Sequence, residues 1–253
     1  MKKLFLGLAL LAGLSACNNA SDKIDVKFAL TDAPSLKGYK ALYVDVQGIE
    51  YSVGDSQWVT LSITPAIVNL MDLTNGKDTL LANVELESGQ VVSQVRLLLG
   101  DSNTLVLADG REVNIKVPSG QTSGLKFNIH SDVALNSGYR VVLDFDAERS
   151  VVAKGNGQYS LKPVIRGYIT ANTSTISGLL LPANKPFQVR TILNEDTITT
   201  VSDTLIGNFF MLQGLTTGSY HLEFIDAQGI IRLGSDQEVH GGTNIDMGSV
   251  QIP

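Results

Sequence analysis

Cysteine is almost absent from this sequence, since Cys17 is the only one in 253 residues. The rest of the chain therefore has no disulfide bond, no cysteine metal site and no cysteine nucleophile. Its folded part has to gain stability from an apolar core. A chain of this length can do so, because it buries well over half of its unfolded surface.

Motifs for nucleophilic and phosphate chemistry are also missing. The sequence has no G-x-S-x-G, no S-x-x-K with its partner motifs and no G-x-x-x-x-G-K-[ST] phosphate loop. Its three histidines, His130, His221 and His240, lack the spacing of a zinc site such as H-x-H or H-E-x-x-H, so we expect them at the surface. The sequence thus indicates no catalytic residues, no cofactor and no enzyme.

Positive charge and aromatic residues are scarce. Nineteen lysines and arginines stand against 25 acidic residues, for a formal net charge of −6. An acidic chain without a polybasic patch is a poor partner for nucleic acid. A single tryptophan, Trp58, is too few for a platform on which sugars stack, and we expect it to pack in the core.

The N-terminus carries the most specific signal that is present. Two lysines precede an apolar stretch, residues 4–14, and the small residues Ser15 and Ala16 lead into Cys17. A basic start, an apolar middle and a small-residue exit are typical of a secretory signal. The apolar stretch would rise about 16 Å as a helix, which is too short to span a hydrocarbon core of about 30 Å.

The residues Leu14-Ser15-Ala16-Cys17 resemble the lipobox of bacterial lipoproteins. The resemblance implies that residues 1–16 are removed by cleavage between Ala16 and Cys17, and that Cys17 carries the lipid. Loss of two lysines would change the net charge to −8. Because two acyl chains already give stable anchoring, the implied partner is a lipid bilayer.

A short tether, residues 17–23, would follow the lipid and reach about 20–25 Å when extended. We therefore expect the folded part close to a membrane of the cell envelope. The residue after the cysteine is asparagine rather than aspartate, which favours an outer-membrane lipoprotein. Whether it faces the periplasm or the cell surface stays open.

Alternation of apolar and polar residues runs through the rest of the chain, and helical periodicity is almost absent. Leu42, Val44 and Val46 share one face of a predicted strand, and Gly48 breaks the phase, which predicts a bulge. Turn signals between such segments include Asn75-Gly76, Asp109-Gly110 and Gly155-Asn156-Gly157. The sequence predicts an all-β protein with two tandem antiparallel β-sandwich domains after a cleaved lipoprotein signal peptide.

A polar segment without periodicity, residues 169–175, predicts a linker between a first domain at 24–168 and a second at 176–253. The first domain contains, in this order, the stretches FALTDAP at 28–34, VNLMDLTNG at 68–76, QVRLLLGD at 94–101, LDFDAERSVV at 143–152 and GQYSLKPVIR at 157–166. Together they resemble the bacterial lipoprotein domain DUF4382, whose function is unknown. The resemblance supplies no catalytic residues.

The second domain contains the pattern G-x-F-x-x-x-x-x-L-x-x-G-x-Y at 207–220. It is similar to carboxypeptidase regulatory-like, transthyretin-like β-sandwich modules. The pattern predicts that Phe209 and Met211 fill one strand, that Leu215 packs the corner and that Gly218 permits the turn. The residues expected to fill the returning strand are Tyr220, Leu222 and Phe224. The resemblance implies a structural or binding module rather than an enzyme.

Carboxylates are the remaining candidates for chemistry. Asp144 and Asp146 lie two apart on a predicted strand and share one face, with Glu148 following. The simplest expectation is a solvated face paired with Lys126 or Arg140. The alternatives are a Ca²⁺ site or the acid/base pair of a glycoside hydrolase. A further carboxylate, that of Asp32 before a proline, is expected to cap its own turn.

The sequence therefore indicates a membrane-anchored envelope lipoprotein without a catalytic site. Its expected role is binding or adhesion, with a glycan or an envelope protein as ligand. Two alternatives stay open: a polysaccharide-acting hydrolase that uses Asp144 and Asp146, and a passive scaffold in a surface assembly.

Overall fold

The computed structural model describes residues 23–33, 38–53, 58–88, 92–118, 125–128, 139–193 and 196–252, and at 125–128, 193 and 196 only the backbone. Strands form nearly all of the regular structure, which confirms the predicted all-β class. Within these segments the helical elements are one α-helix, α1 (Ala147–Ser150), and 3-10 turns at Leu70–Asp72, Gly155–Gly157, Thr170–Asn172 and Thr204–Ile206. The described part contains no helix long and apolar enough to cross a membrane.

Residues 23–169 form two main sheets. The strands are β1 (Lys23–Ala33), β2 (Ala41–Val53), β3 (Trp58–Leu61), β4 (Ala66–Asn69), β5 (Thr79–Glu87), β6 (Val92–Leu99), β7 (Thr104–Val106), β8 (Glu112–Asn114), β9 (Leu125–Asn128), β10 (Arg140–Asp146), β11 (Val151–Ala153), β12 (Tyr159–Leu161) and β13 (Ile165–Ile169). One sheet has the order β13-β10-β1-β5. The other has the order β8-β7-β2-β6-β9, with β3 and β4 also paired to β2. Among the strand pairs of these sheets, β1 and β10 run parallel and the others run antiparallel.

Alternation predicted the inward face of β2 correctly. Leu42, Val44 and Val46 are fully buried, whereas Tyr43 is 38% exposed. The predicted bulge is confirmed, because the β2–β6 register shifts between Val46 and Gly48. The three turns are confirmed as well, since each contains backbone with positive φ that glycine and asparagine adopt at low cost.

Residues 174–251 form a second pair of sheets. The strands are β14 (Ser174–Leu181), β15 (Gln188–Leu193), β16 (Asp196–Val201), β17 (Phe209–Leu215), β18 (Gly218–Ile225), β19 (Ile231–Val239) and β20 (Asn244–Gln251). The sheet orders are β17-β14-β20 and β16-β15-β18-β19, and one apolar core lies between them. Only β14 and β20 pair in parallel among these strands.

The second core confirms part of the predicted pattern. Tyr220, Leu222 and Phe224 are buried, as is Leu215 at the corner. The prediction for β17 was wrong by one residue: Phe210 and Leu212 enter the core, and Phe209 and Met211 do not. Residues 209–212 are all apolar, so no alternation in the sequence indicates which of them face the core. Gly218 begins β18, and it is Gly214 that takes positive φ near the turn.

The connection between the two sheet pairs is short. Strand β13 ends at Ile169 and β14 begins at Ser174, with one 3-10 turn between them. The predicted linker, residues 169–175, thus includes the ends of two strands. Buried apolar residues form one cluster within 24–169 and another within 176–252.

Candidate functional site

The carboxylates that the sequence singled out lie at the end of β10, where the two sheet pairs meet. Asp144 and Asp146 are each about 8% exposed, so the expected solvated face was wrong. The other face of β10 is buried too, with Val141, Leu143 and Phe145 in the first core. The polar face is covered because Thr199 and Gln213 of the second sheet pair border the same crevice as Asp144.

Asp144 forms an ion pair with Arg166 on the neighbouring strand β13, directly opposite it in the antiparallel ladder. The Nε and Nη2 atoms of Arg166 both lie 2.7 Å from Oδ2 of Asp144. Sequence reasoning named Lys126 or Arg140 as the partner. Arg140 pairs with Asp78 instead, and the Lys126 side chain lies outside the described residues.

Asp146 serves as the N-cap of α1. Its Oδ1 accepts the N–H of Arg149 at 2.8 Å, as expected for an aspartate at this position. Burial raises the pKa of Asp146 to about 6, although the hydrogen bond from Arg149 acts in the opposite direction. A buried carboxylate with little compensating charge resists ionisation.

Asp32, at the end of β1, joins the same region. Its Oδ1 accepts the N–H of Ala147 at 3.1 Å, a residue 115 positions away, so it too stabilises the start of α1. Its Oδ2 is buried and has no hydrogen-bond partner within the described residues. Burial, and secondly the charge of Asp144, raise the pKa of Asp32 well above its usual value, which favours the neutral acid.

Arg166 also connects the two sheet pairs. Its Nη2 donates to the carbonyl of Gln213 at 2.6 Å and its Nη1 to that of Gly214 at 3.1 Å. Tyr168 packs against Gly214, whose φ is +68°. A Cβ added there would lie 2.5 Å from the Tyr168 ring. Both the close approach and the positive φ therefore require glycine at this position.

Asn75 makes the second connection. Its Nδ2 donates to the carbonyl of Val201 at 2.9 Å, and its Oδ1 accepts from the Thr200 hydroxyl at 3.0 Å and from the N–H of Met211 at 3.1 Å. Sequence reasoning found Asn75 only as a turn residue, which it is, with φ +53°. No feature of the sequence indicates the contacts of Asn75 with β16 and β17, or those of Arg166 with β17.

We call Asp32, Asp144, Asp146, Arg166 and Asn75, together with their partners, the junction. A crevice of about 130 Å³ runs beside it, bordered by both sheet pairs. No group of three or more His, Cys, Asp or Glu among the described residues is arranged to hold a metal ion. In this arrangement Asp144 is neutralised by Arg166, and Asp146 and Asp32 cap α1, so the three carboxylates perform structural tasks.

The other residues that the sequence singled out fall elsewhere. Ala16, Cys17 and His130 lie outside the described residues. His221 is exposed and its Nδ1 lies 2.6 Å from Oδ1 of Asp236. Trp58 is partly exposed, with the Arg96 guanidinium 3.6 Å above its ring centroid, so the prediction that it packs in the core was wrong.

The fold and the junction define an all-β protein with two apolar cores joined through buried polar side chains. The chain belongs to the family described as "Domain of unknown function (DUF4382)", whose model matches residues 24–163. The predicted resemblance of the first domain is thus confirmed. A search of curated proteins finds no match.

Distant similarities to solved structures cover 91% of this chain. They include the Bacillus anthracis TIE protein (11% identity, TM-score 0.26), BcpA, the major pilin subunit of Bacillus cereus (11%, 0.21, 70% of that chain), and the shaft pilin spaA from Lactobacillus rhamnosus GG (8%, 0.22, 96% of that chain). The chain spans about a third of the TIE protein, and about a quarter of a leucine-rich repeat protein from Bacteroides thetaiotaomicron that is also similar. None of these comparisons indicates a catalytic family.

Proposed function

We propose that this chain is an envelope lipoprotein, anchored through Cys17, that binds a glycan or protein ligand and catalyses no reaction. One observation carries the non-catalytic part of the proposal. The carboxylates that the sequence offered as catalytic groups are engaged in contacts within the fold, since Asp144 pairs with Arg166 and Asp146 caps α1. A hydrolase needs two carboxyl groups free to reach a glycosidic bond.

The anchoring part of the proposal rests on the sequence Leu14-Ser15-Ala16-Cys17. Expressed in a bacterium that acylates lipoproteins, the wild-type chain should sediment with membranes, and Cys17→Ala should move to the soluble fraction. Because two acyl chains supply most of the membrane affinity, the shift should be close to complete. Ser15→Ala keeps the cysteine and serves as the control. Membrane retention of Cys17→Ala would refute the anchor.

The binding part is tested with the purified chain against a panel of envelope and host polysaccharides. A ligand at 100 times its Kd adds about 2.7 kcal/mol to the free energy of unfolding, which raises Tm by roughly 5–10 °C in a chain of this size. The same incubations are assayed for released reducing ends. If the wild-type chain releases sugar and Asp146→Asn does not, the protein is a hydrolase and the non-catalytic proposal is overturned. No shift with any glycan would favour a scaffold with protein partners.

A further inference from the structure

A cavity of about 370 Å³ lies in the second sheet pair and shares no lining residue with the junction. Three separate segments form it: the loop after β14, the turn between β18 and β19, and the end of the described chain at Ile252. Its volume is within the range of small-molecule sites, roughly 300–1,000 Å³.

The loop that forms one wall is fixed by a buried asparagine. Asn208 is fully buried at φ +65°, and its Nδ2 lies 3.1, 3.1 and 2.8 Å from the carbonyl oxygens of Leu180, Pro182 and Lys185. The backbone that carries the Lys185 side chain is therefore held in place before any ligand arrives.

The opposite wall is fixed by Asp226. Its Oδ1 accepts the N–H groups of Gln228 and Ile230 at 3.0 and 2.9 Å, and its Oδ2 accepts Nη1 of Arg232 at 2.9 Å. These bonds, that from Arg232 foremost, hold the pKa of Asp226 below its usual value, so it stays ionised. The N–H of Ile252 donates to the carbonyl of Leu181 at 3.1 Å and connects the third segment to the first wall.

The charge in this cavity differs in sign from that of the whole chain. Lys185 is exposed and has no ion-pair partner within the described residues, whereas the charge of Arg232 is largely balanced by Asp226. One positive charge is therefore unbalanced in a chain of net charge −6. The buried side chains of Phe187 and Ile252 add an apolar floor, and Gln228 contributes an amide at the rim.

We infer that this cavity binds an acidic sugar. The carboxylate lies between Lys185 and Arg232, the C–H face of the ring lies over Phe187 and Ile252, and Gln228 hydrogen-bonds a hydroxyl. A charge-assisted hydrogen bond supplies orientation as well as affinity. Rigid walls lower the ordering cost of binding. The inference rests on the proposed function, for which it names the ligand class and the site.

The test uses the purified full chain and isothermal titration with glucuronic acid, galacturonic acid and N-acetylneuraminic acid. At least one should bind, and its neutral methyl ester should bind at least about tenfold more weakly. Lys185→Gln should cause a similar loss with an unchanged Tm, because the side chain is exposed. Lys154→Gln, which removes another exposed lysine outside the cavity, should leave binding unchanged.

The inference is overturned if none of the three acids binds at millimolar concentration, or if the methyl ester binds as well as the acid. It is also overturned if Lys185→Gln binds as the wild type does, or if glucose 6-phosphate binds more tightly than every sugar acid, since the site would then recognise phosphate. If the chain is retained at the membrane through Cys17 and binds neutral glycans but no acidic sugar, the assignment of this site is wrong and the proposed function is still supported.

Discussion

Arg166 lies at the centre of the junction, and its removal tests whether the junction stabilises the fold. Arg166→Met keeps an unbranched apolar side chain but removes the guanidinium. Three partners lose their donor: Oδ2 of Asp144 and the carbonyls of Gln213 and Gly214. The Asp144 side chain is 10% exposed and that of Arg166 is 24% exposed.

The expected magnitude follows from this burial. Removing one partner of a buried ion pair costs about 3–5 kcal/mol, because a charge is left uncompensated. Partial access of water to Arg166 reduces that figure, so we expect a loss of about 3 kcal/mol in the free energy of unfolding. In a chain of this size the loss corresponds to a decrease in Tm of roughly 6–12 °C.

Urea unfolding followed by far-UV circular dichroism measures the change. Arg111→Gln is the matched control: it breaks an exposed pair with Asp109, whose side chain is 54% exposed, and should change the free energy of unfolding far less than Arg166→Met does. The double variant Arg166→Met, Asp144→Asn should lose less free energy of unfolding than the two single variants lose in sum, by about 1–3 kcal/mol. A loss for Arg166→Met no larger than that of the control, or strictly additive costs, would refute the reasoning.

Two further predictions concern the same region. In the folded protein the pKa of Asp146 is about 6, against the usual 3.8. Protonation of Asp146 therefore stabilises the fold below pH 4, and this stabilisation of about 2–3 kcal/mol is lost as the pH rises through 6. Urea unfolding of Asp146→Asn should depend less on pH between 4 and 7 than that of the wild type, and an unchanged dependence would contradict the assignment. Asn75→Ala should lower the free energy of unfolding by about 1–3 kcal/mol and speed amide exchange at Met211, because three hydrogen bonds are lost. Asn156→Ala controls for backbone strain, since Asn156 also has positive φ, +64°. Equal effects of the two variants would mean that the hydrogen bonds between the two sheet pairs contribute nothing.

Strand positions could be predicted wherever one face is apolar and the other polar. The alternation of Leu42, Val44 and Val46 gave the inward face of β2, and Tyr220, Leu222 and Phe224 gave that of β18. The rule failed where both faces are buried. Asp144 and Asp146 follow the polar phase of β10, but the second sheet pair covers that phase, and the sequence of β10 contains no sign of this covering.

The junction could not be predicted for a related reason. The hydrogen-bond partners of Asn75 and Arg166 lie 126 and 47 positions away in the chain, and a single sequence contains no signal for such pairs. Asn75-Gly76 was recognised as a turn because its local chemistry requires one, but the same side chain has a second task that depends on tertiary structure. The cavity beside Lys185 likewise combines three distant segments.

The position of β1 has a mechanical consequence. This first described strand lies between β5 and β10 in its sheet: residues 23–30 pair with β5 and residues 27–33 pair with β10, so both ladders are present at 27–30. A force that acts at Lys23 along the strand axis loads the β5 ladder over residues 23–30 and the β10 ladder from Lys27 onward. The hydrogen bonds of a ladder loaded in this direction resist in shear, all together. At its centre β1 therefore resists tension with two ladders, where an edge strand would have one.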